Sequence, residues 1–299
     1  MDTLSRPSDS FYVSDVRCHG HCQGASSADC GYRVAWKINP HMKIGATCLF
    51  RAESQHAALV RALRDAGAEV LTLPFVHSGF DSVFIKDNAV LWQQGGVRRA
   101  LMTRPCHTQR ALEQERRAAM LTLKGFAIHR SRGAHLEGGD VVVLPNSEGA
   151  ILGVGPRTAV ESAHGLSDFL QLPVVTVELC DPYLYHLDTA LTVLSDGTAL
   201  ACREAFTQRG WAQLKAHWAL TRVIAVPRQE ALRLTLNMVE VGSRVIIGMS
   251  SPVVEACLRA LGREPIVVDL SEFIYAGGSA ACLVSRIHLD QRQPLVQAA

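Results

Sequence analysis

The chain has 299 residues, 48% of them apolar, enough for one large domain or two modest ones with a substantial core. Thirty Lys and Arg against 28 Asp and Glu leave a formal charge of +2, a balance that offers no electrostatic footprint for nucleic acid or an anionic membrane surface. No run approaches 18 consecutive apolar residues, and Met1–Ser10 has no apolar signal core, so neither a membrane span nor secretion is expected.

Residues 1–30 are polar and aperiodic, and read as a flexible leader. They carry Cys18-His19-Gly20-His21-Cys22 and then Cys30, which raises the question of a metal. Adjacent side chains diverge, however, and no second ligand pair follows at zinc-finger spacing, so a disordered tail is the preferred reading. The nine cysteines, an odd number spread over a long chain, read as reduced thiols of a cytoplasmic protein.

From Tyr32 onward a rhythm begins. Residues 51–67 have apolar side chains at helical spacing and end on Gly67, a helix-stop signal. Strand-like segments follow at 69–74, 82–92 and 100–105. Further helices are expected to start near 109, 157, 204 and 252, each trailed by about three short apolar runs, the last ending in residues 280–287. Pro252 suits a first helical turn. A helix and three strands, repeated five times at a period near 48 residues, argue for an array of like units over residues 31–290, with 291–299 a tail. Five such units could close into a ring, which would remove exposed sheet edges. The competing reading is an irregular α/β domain with accidental spacing.

Phosphate-loop, dinucleotide, HExxH, CxxC and GxSxG signatures are all absent from the sequence, and Gly153-Val-Gly155 lacks a third glycine. No organic cofactor and no metal is therefore expected. What remains are polar clusters at the ends of apolar runs: Asp81 and Asp87 around VFIKDNAV, Glu137-Gly-Gly-Asp140, His186-Leu-Asp188-Thr189, and Cys282 after AGGSAA. Each alone has a bland reading, as a turn, a surface histidine or a small buried thiol. Together they supply a thiol, an imidazole, a carboxylate to orient it and further carboxylates to hold a cation. In a closed ring they would converge on the axis. A thiolate, not a thiol, is the nucleophile, and a carboxylate-rich site implies a cationic substrate such as a guanidinium.

Cys282 in GGSAACLV, His186 in YHLDT, Glu137 in LEGGD and Asp87 in VFIKDNAV together resemble the guanidino-group-modifying enzymes of the pentein fold: dimethylargininases, arginine deiminases and amidinotransferases. The resemblance runs from about Tyr32 to Ile287. It implies a five-bladed α/β propeller of ββαβ units with pseudo-fivefold symmetry. It also implies that Cys282 attacks the guanidino carbon, that His186 moves protons and that Glu137 holds the imidazole. Asp87 and Asp188 would grip guanidino nitrogens, Asp81 would bind substrate, Arg157 would meet a substrate carboxylate, and Arg110 matches a second arginine more loosely.

Two departures and one further likeness bear on substrate, and the chain lacks the long helical insertion typical of deiminases. Lys86 replaces the acidic residue that dimethylargininases usually carry before the motif Asp. Asp188 is the deiminase-like second acid of an HxD motif. The AWKINPHM and SEFIYAGG phrasing resembles arginine dihydrolases, which carry Asn where Asp87 stands. Hydrolysis of a guanidino C–N bond in arginine or a substituted arginine is the favoured reading. Amidinotransfer, a non-catalytic propeller and a Cys-His peptidase are the alternatives. The implied partner is a small guanidino molecule, and whether the chain forms a homo-oligomer stays open.

Overall fold

The computed structural model describes residues 9–19 and 30–292. Its strands are β1 (Ser10–Ser14), β2 (Glu69–Leu73), β3 (Ala89–Gln94), β4 (Val97–Met102), β5 (Ala127–Arg130), β6 (Val141–Val143), β7 (Ala150–Val154), β8 (Val174–Glu178), β9 (Leu191–Val193), β10 (Thr198–Ala201), β11 (Arg222–Ala225), β12 (Val239–Val241), β13 (Arg244–Ile247), β14 (Glu264–Val267) and β15 (Val284–Leu289). Helices are α1 (Leu49–Asp65), α2 (Thr108–Leu123), α3 (Ser162–Leu170), α4 (Leu187–Ala190), α5 (Gln208–Lys215), α6 (Arg228–Ala231), α7 (Pro252–Ala260) and α8 (Ser271–Ile274). Helices α4, α6 and α8 are single turns.

One pattern recurs through this α/β fold. β3 pairs antiparallel with β4, the chain crosses over through α2, and β5 returns parallel to β4. The same three-strand unit appears as β6-β7-β8 around α3, β9-β10-β11 around α5, and β12-β13-β14 around α7. The fifth joins the two ends of the chain: β15 runs antiparallel to β1, and β1 runs parallel to β2 across α1. A parallel return needs a crossover of this length, and a helix covering the sheet supplies it. The long helices begin within about five residues of the positions that the sequence period marks.

Two expectations are corrected. The leader over residues 1–30 does not hold from Ser10 onward, because β1 lies between β2 and β15 with Phe11, Tyr12 and Val13 buried. Its hydrophobic run is only three residues long, too short to register as a periodic signal, and its partners lie at the far end of the sequence. A strand was also expected over 82–92. Residues 85–88 form instead a 3-10 turn, and β3 starts at Ala89. Backbone pairing does not run around a continuous ring. Among the described residues it forms a six-stranded sheet, β2-β1-β15-β3-β4-β5, and three separate three-stranded sheets. Buried residues divide into four apolar clusters, the largest bringing Phe11, Tyr32, Phe84 and Phe273 together near the chain ends. No helix among the described residues is long and apolar enough to cross a membrane.

Candidate active site

The turn that enters the first strand of each three-strand unit carries a buried polar residue. Asp87 precedes β3, Asp140 precedes β6, Asp188 precedes β9, Asn237 precedes β12 and Cys282 precedes β15. These five positions lie about 50 residues apart in the sequence and reflect the repeat. Cys282, His186, Asp87, Asp81, Arg110 and Arg157, among others, line one cavity. The structure thus brings six of the eight residues singled out from sequence to the wall of one cavity. Glu137 and Asp188 stand immediately behind it, bonded to His186 and Cys282.

Cys282 sits at the end of the Ala276–Ala281 turn, 2% exposed. Asn237 holds it at both ends: the Cys282 amide donates to Asn237 Oδ1 (3.1 Å), and Asn237 Nδ2 donates to Cys282 Sγ (3.1 Å). The thiol faces Asp188, with Sγ 3.6 and 3.8 Å from its two oxygens. Burial pushes this thiol well above its ordinary pKa, and the Asp188 and Asp87 carboxylates push further, against Lys86 and the Asn237 amide. In the free protein it is a thiol, not a thiolate.

His186 ends an extended segment and caps α4, where Thr189 Oγ1 and the Thr189 amide donate back to its carbonyl. Its Nε2 donates to Glu137 Oε2 (2.8 Å), and its Nδ1 lies 3.6 Å from Asp87 Oδ1. Burial opposes a charge on the ring, but Asp87, Asp140 and Glu137 together raise it to about 9. His186 is therefore an imidazolium at neutral pH, a proton donor in waiting. Close approach here requires Gly139: a Cβ at that position would lie 2.5 Å from His186 Nδ1 and 2.8 Å from Asp87 Oδ1.

Glu137 is fully committed. Beyond His186 it accepts from the Cys106 amide (3.0 Å) and from Arg157 Nη1 (2.9 Å). Burial would raise its pKa, yet His186 and Arg157 hold it well below the carboxylate range. Arg157, expected to greet a substrate carboxylate, thus spends one nitrogen on Glu137 and another on the Ile38 carbonyl (2.8 Å). It still borders the cavity, with Tyr185 stacked 4.6 Å from its guanidinium carbon. Arg110 is likewise engaged, donating to Asp87 Oδ2 (3.0 Å), to both oxygens of Glu113 and to the Phe84 carbonyl. Its evident work is to fix Asp87.

Asp81 accepts from Trp36 Nε1 (2.6 Å) through Oδ2, while its buried Oδ1 has no hydrogen-bond partner. Burial, opposed by Arg110 and Trp36, raises its pKa to about 6. Oδ1 therefore offers a buried acceptor at the cavity wall.

Sequence reasoning gave no role to three participants. Asn237 lies in an apolar run, and a buried amide there was the available signal. Asp140 accepts from the Leu187 amide (2.9 Å), and burial raises it to about 7. Lys86 was noted as a departure but given no task; its Nζ pairs with Asp188 Oδ2 at 2.8 Å.

Residues 42–289 match the family model described as N,N dimethylarginine dimethylhydrolase, eukaryotic. The N(G),N(G)-dimethylarginine dimethylaminohydrolase of Mycobacterium tuberculosis is 31% identical over 258 residues, covering 86% of this chain and 83% of that one. The bifunctional arginine dihydrolase/ornithine cyclodeaminase AgrE of Nostoc is 27% identical over 86% of this chain but only 36% of its own length. In fold, the product-bound N-terminal domain of ArgZ, a cyanobacterial arginine dihydrolase, superposes with a TM-score of 0.86 at 23% identity, over 96% of this chain and 100% of that one. The dimethylarginine enzyme of Pseudomonas aeruginosa gives 0.72 at 22% identity, over 93% and 99%. The match across residues 42–289, together with the mycobacterial relative, shows that this chain belongs to the dimethylarginine dimethylaminohydrolase family, hydrolases of the pentein superfamily that act on guanidino C–N bonds.

Proposed function

We propose that the protein hydrolyses a guanidino C–N bond of arginine or a substituted arginine, giving citrulline or its analogue and ammonia or an amine, through a thiouronium on Cys282. The observation that carries this reading is the arrangement around one cavity. A thiol held by Asn237 shares it with a His186 imidazolium, and Asp81, Asp87 and Asp188 supply negative charge for a cation.

A guanidinium entering the cavity brings a positive charge to the thiol, the one change that favours its ionised form in this acidic setting. The thiol proton passes to a neighbouring carboxylate or to solvent, and Sγ bonds to the guanidino carbon. His186 gives its proton to the departing nitrogen, which leaves as ammonia or an amine as the C–N bond breaks. The neutral imidazole then takes a proton from water, whose oxygen bonds to the same carbon. The C–S bond breaks, and the ureido product leaves with the thiol restored. Glu137 and Arg157 keep the ring oriented throughout, a positioning task. A structure of a variant ArgZ domain described as covalently bound to a reaction intermediate supports a covalent route. The five-unit repeat supports a five-bladed propeller as the frame, with the five turns on its axis.

Asp188 favours an unsubstituted nitrogen pair. A methyl group on a nitrogen facing Asp188 removes a donor and leaves a buried oxygen unpaired, a loss of roughly 1–3 kcal/mol. The test is kcat/KM for arginine, monomethylarginine, asymmetric dimethylarginine and agmatine, with ureido product and released amine both measured. Arginine should lead by about 10-fold or more over the dimethylated substrate. A clear preference for the dimethylated form would refute the role given to Asp188.

A further inference from the structure

Cys18 and Cys30, which sequence spacing assigned to a disordered tail, face a third donor 47 residues beyond Cys30. The segment 15–18 runs antiparallel to 30–32: the Cys18 amide donates to the Cys30 carbonyl (2.8 Å), the Tyr32 amide to the Val16 carbonyl (2.9 Å), and Arg17 bridges to Gly31. This sets Cys18 and Cys30 side by side. His77 arrives from the turn after β2, where the Asp15 amide bonds the Leu73 carbonyl and the Val76–Ser82 loop is closed by its own hydrogen bonds. Its Nδ1 lies 3.5 Å from Cys30 Sγ and 4.0 Å from Cys18 Sγ. All three donor atoms fall within 4.8 Å of one another, and all three residues are half-buried.

Hydrogen bonding does not explain two thiols converging on a single ring nitrogen, since that nitrogen can share only one proton. A tetrahedral ion does. With Zn–S near 2.3 Å and Zn–N near 2.0–2.1 Å, adjacent S and N donors sit about 3.6 Å apart and adjacent sulfurs about 3.8 Å apart. The 3.5 and 4.0 Å separations bracket the first of these values. Two soft thiolates and an imidazole in this geometry select zinc over hard divalent ions.

We propose that Cys18, Cys30 and His77 supply three of the four donors to one bound Zn²⁺. Binding takes both cysteines as thiolates and His77 as the neutral ring, so two protons leave for solvent as two S–Zn bonds and one N–Zn bond form. The ion ties the strand that completes the terminal unit to the loop leading into Asp81. It is a structural site: the other candidate group, Asp87, Glu137 and His186, presents carboxylates to opposite ring nitrogens and already carries Arg110 and Arg157.

The test is metal content of the full chain purified in zinc-containing, chelator-free buffer, with cobalt substitution as a spectroscopic probe. About one zinc per chain is expected, and the cobalt form should show thiolate-to-cobalt charge-transfer absorption. Cys30→Ser and His77→Ala should each lose the zinc and that absorption while retaining turnover; Glu137→Gln should keep both. Chelation of the wild-type protein should lower Tm, and chelation of His77→Ala should not. A chain that takes up no zinc, a His77→Ala variant that binds it as the wild type does, or a Cys18–Cys30 disulfide in the purified protein would overturn the proposal.

Discussion

The Lys86 ammonium sits 2.8 Å from Asp188 Oδ2, and the same carboxylate lies 3.6 Å from the Cys282 sulfur through that oxygen. Lys86 thus provides a resident cation where the reading above places a guanidinium. Burial works against its charge, but Asp188 more than offsets this and holds the amine protonated. A substrate cation that reaches Asp188 must share it with Lys86 or displace it.

Lys86→Met tests this directly. Removing the ammonium leaves Asp188 charged and unpartnered beside the thiol, which should destabilise the free protein by roughly 1–3 kcal/mol. Arginine would restore the missing charge, so its addition should raise Tm by more in the variant than in the wild type. KM for arginine should fall, and Cys282 should alkylate more slowly in the free variant because the nearest cation is gone. Equal Tm shifts in the two proteins would remove Lys86 from the substrate's place.

The paired state of His186 should set the alkaline limb of activity. A proton donor held at about 9 keeps its proton through neutral pH and loses it as pH rises through that value, so turnover should decline above about 9. Glu137→Gln removes one of the charges that sustain the imidazolium and leaves Arg157 without its partner. Its alkaline limb should move to lower pH, and kcat should drop, while His186→Ala should lose about 10²–10⁴ in rate. A pH profile unchanged by Glu137→Gln would mean that Glu137 has no hold on the ring.

A separate loss of stability in acid is expected from His56, buried against Phe273 with Nε2 lacking a hydrogen-bond partner. Burial depresses its pKa to about 4, below the 6.5 of an unfolded chain. The folded state therefore binds fewer protons. The stability His56 contributes is complete above pH 6.5 and drains away as pH falls toward 4, to a limit of about 3 kcal/mol. His56→Phe should narrow the fall in Tm between pH 7 and pH 4.5; an identical fall in both proteins would place the acid lability elsewhere.

Much of this was legible in the sequence because the fold is periodic. Helices every 48 residues or so announced five units, and Asp87, Glu137, His186 and Cys282 stood at the turn that opens a hairpin in four of them. The same rule, applied to the fourth unit, would have led to Asn237, but a single amide among apolar residues carries no chemical signature on its own. β1 escaped because its three apolar residues are too few for a pattern and its partners are Glu69–Leu73 and Val284–Arg286. The commitments of Arg110 and Arg157 to Asp87 and Glu137 are pairings across tens of residues, which no local motif encodes. Cys18, Cys30 and His77 are separated for the same reason: ligand spacing reads only sites built within one stretch of chain.

Trapping the adduct during turnover tests whether Cys282 is the covalent nucleophile. Wild-type enzyme turning over arginine is quenched in acid and analysed by intact and peptide mass, with citrulline and ammonia measured in parallel. A mass increase equal to the amidino-linked substrate minus ammonia should map to the peptide containing Cys282, with citrulline and ammonia released in equal amounts. Cys282→Ser should show neither adduct nor product. Citrulline formation that continues in Cys282→Ser, or an adduct on any other cysteine in a turning-over enzyme, would contradict the account.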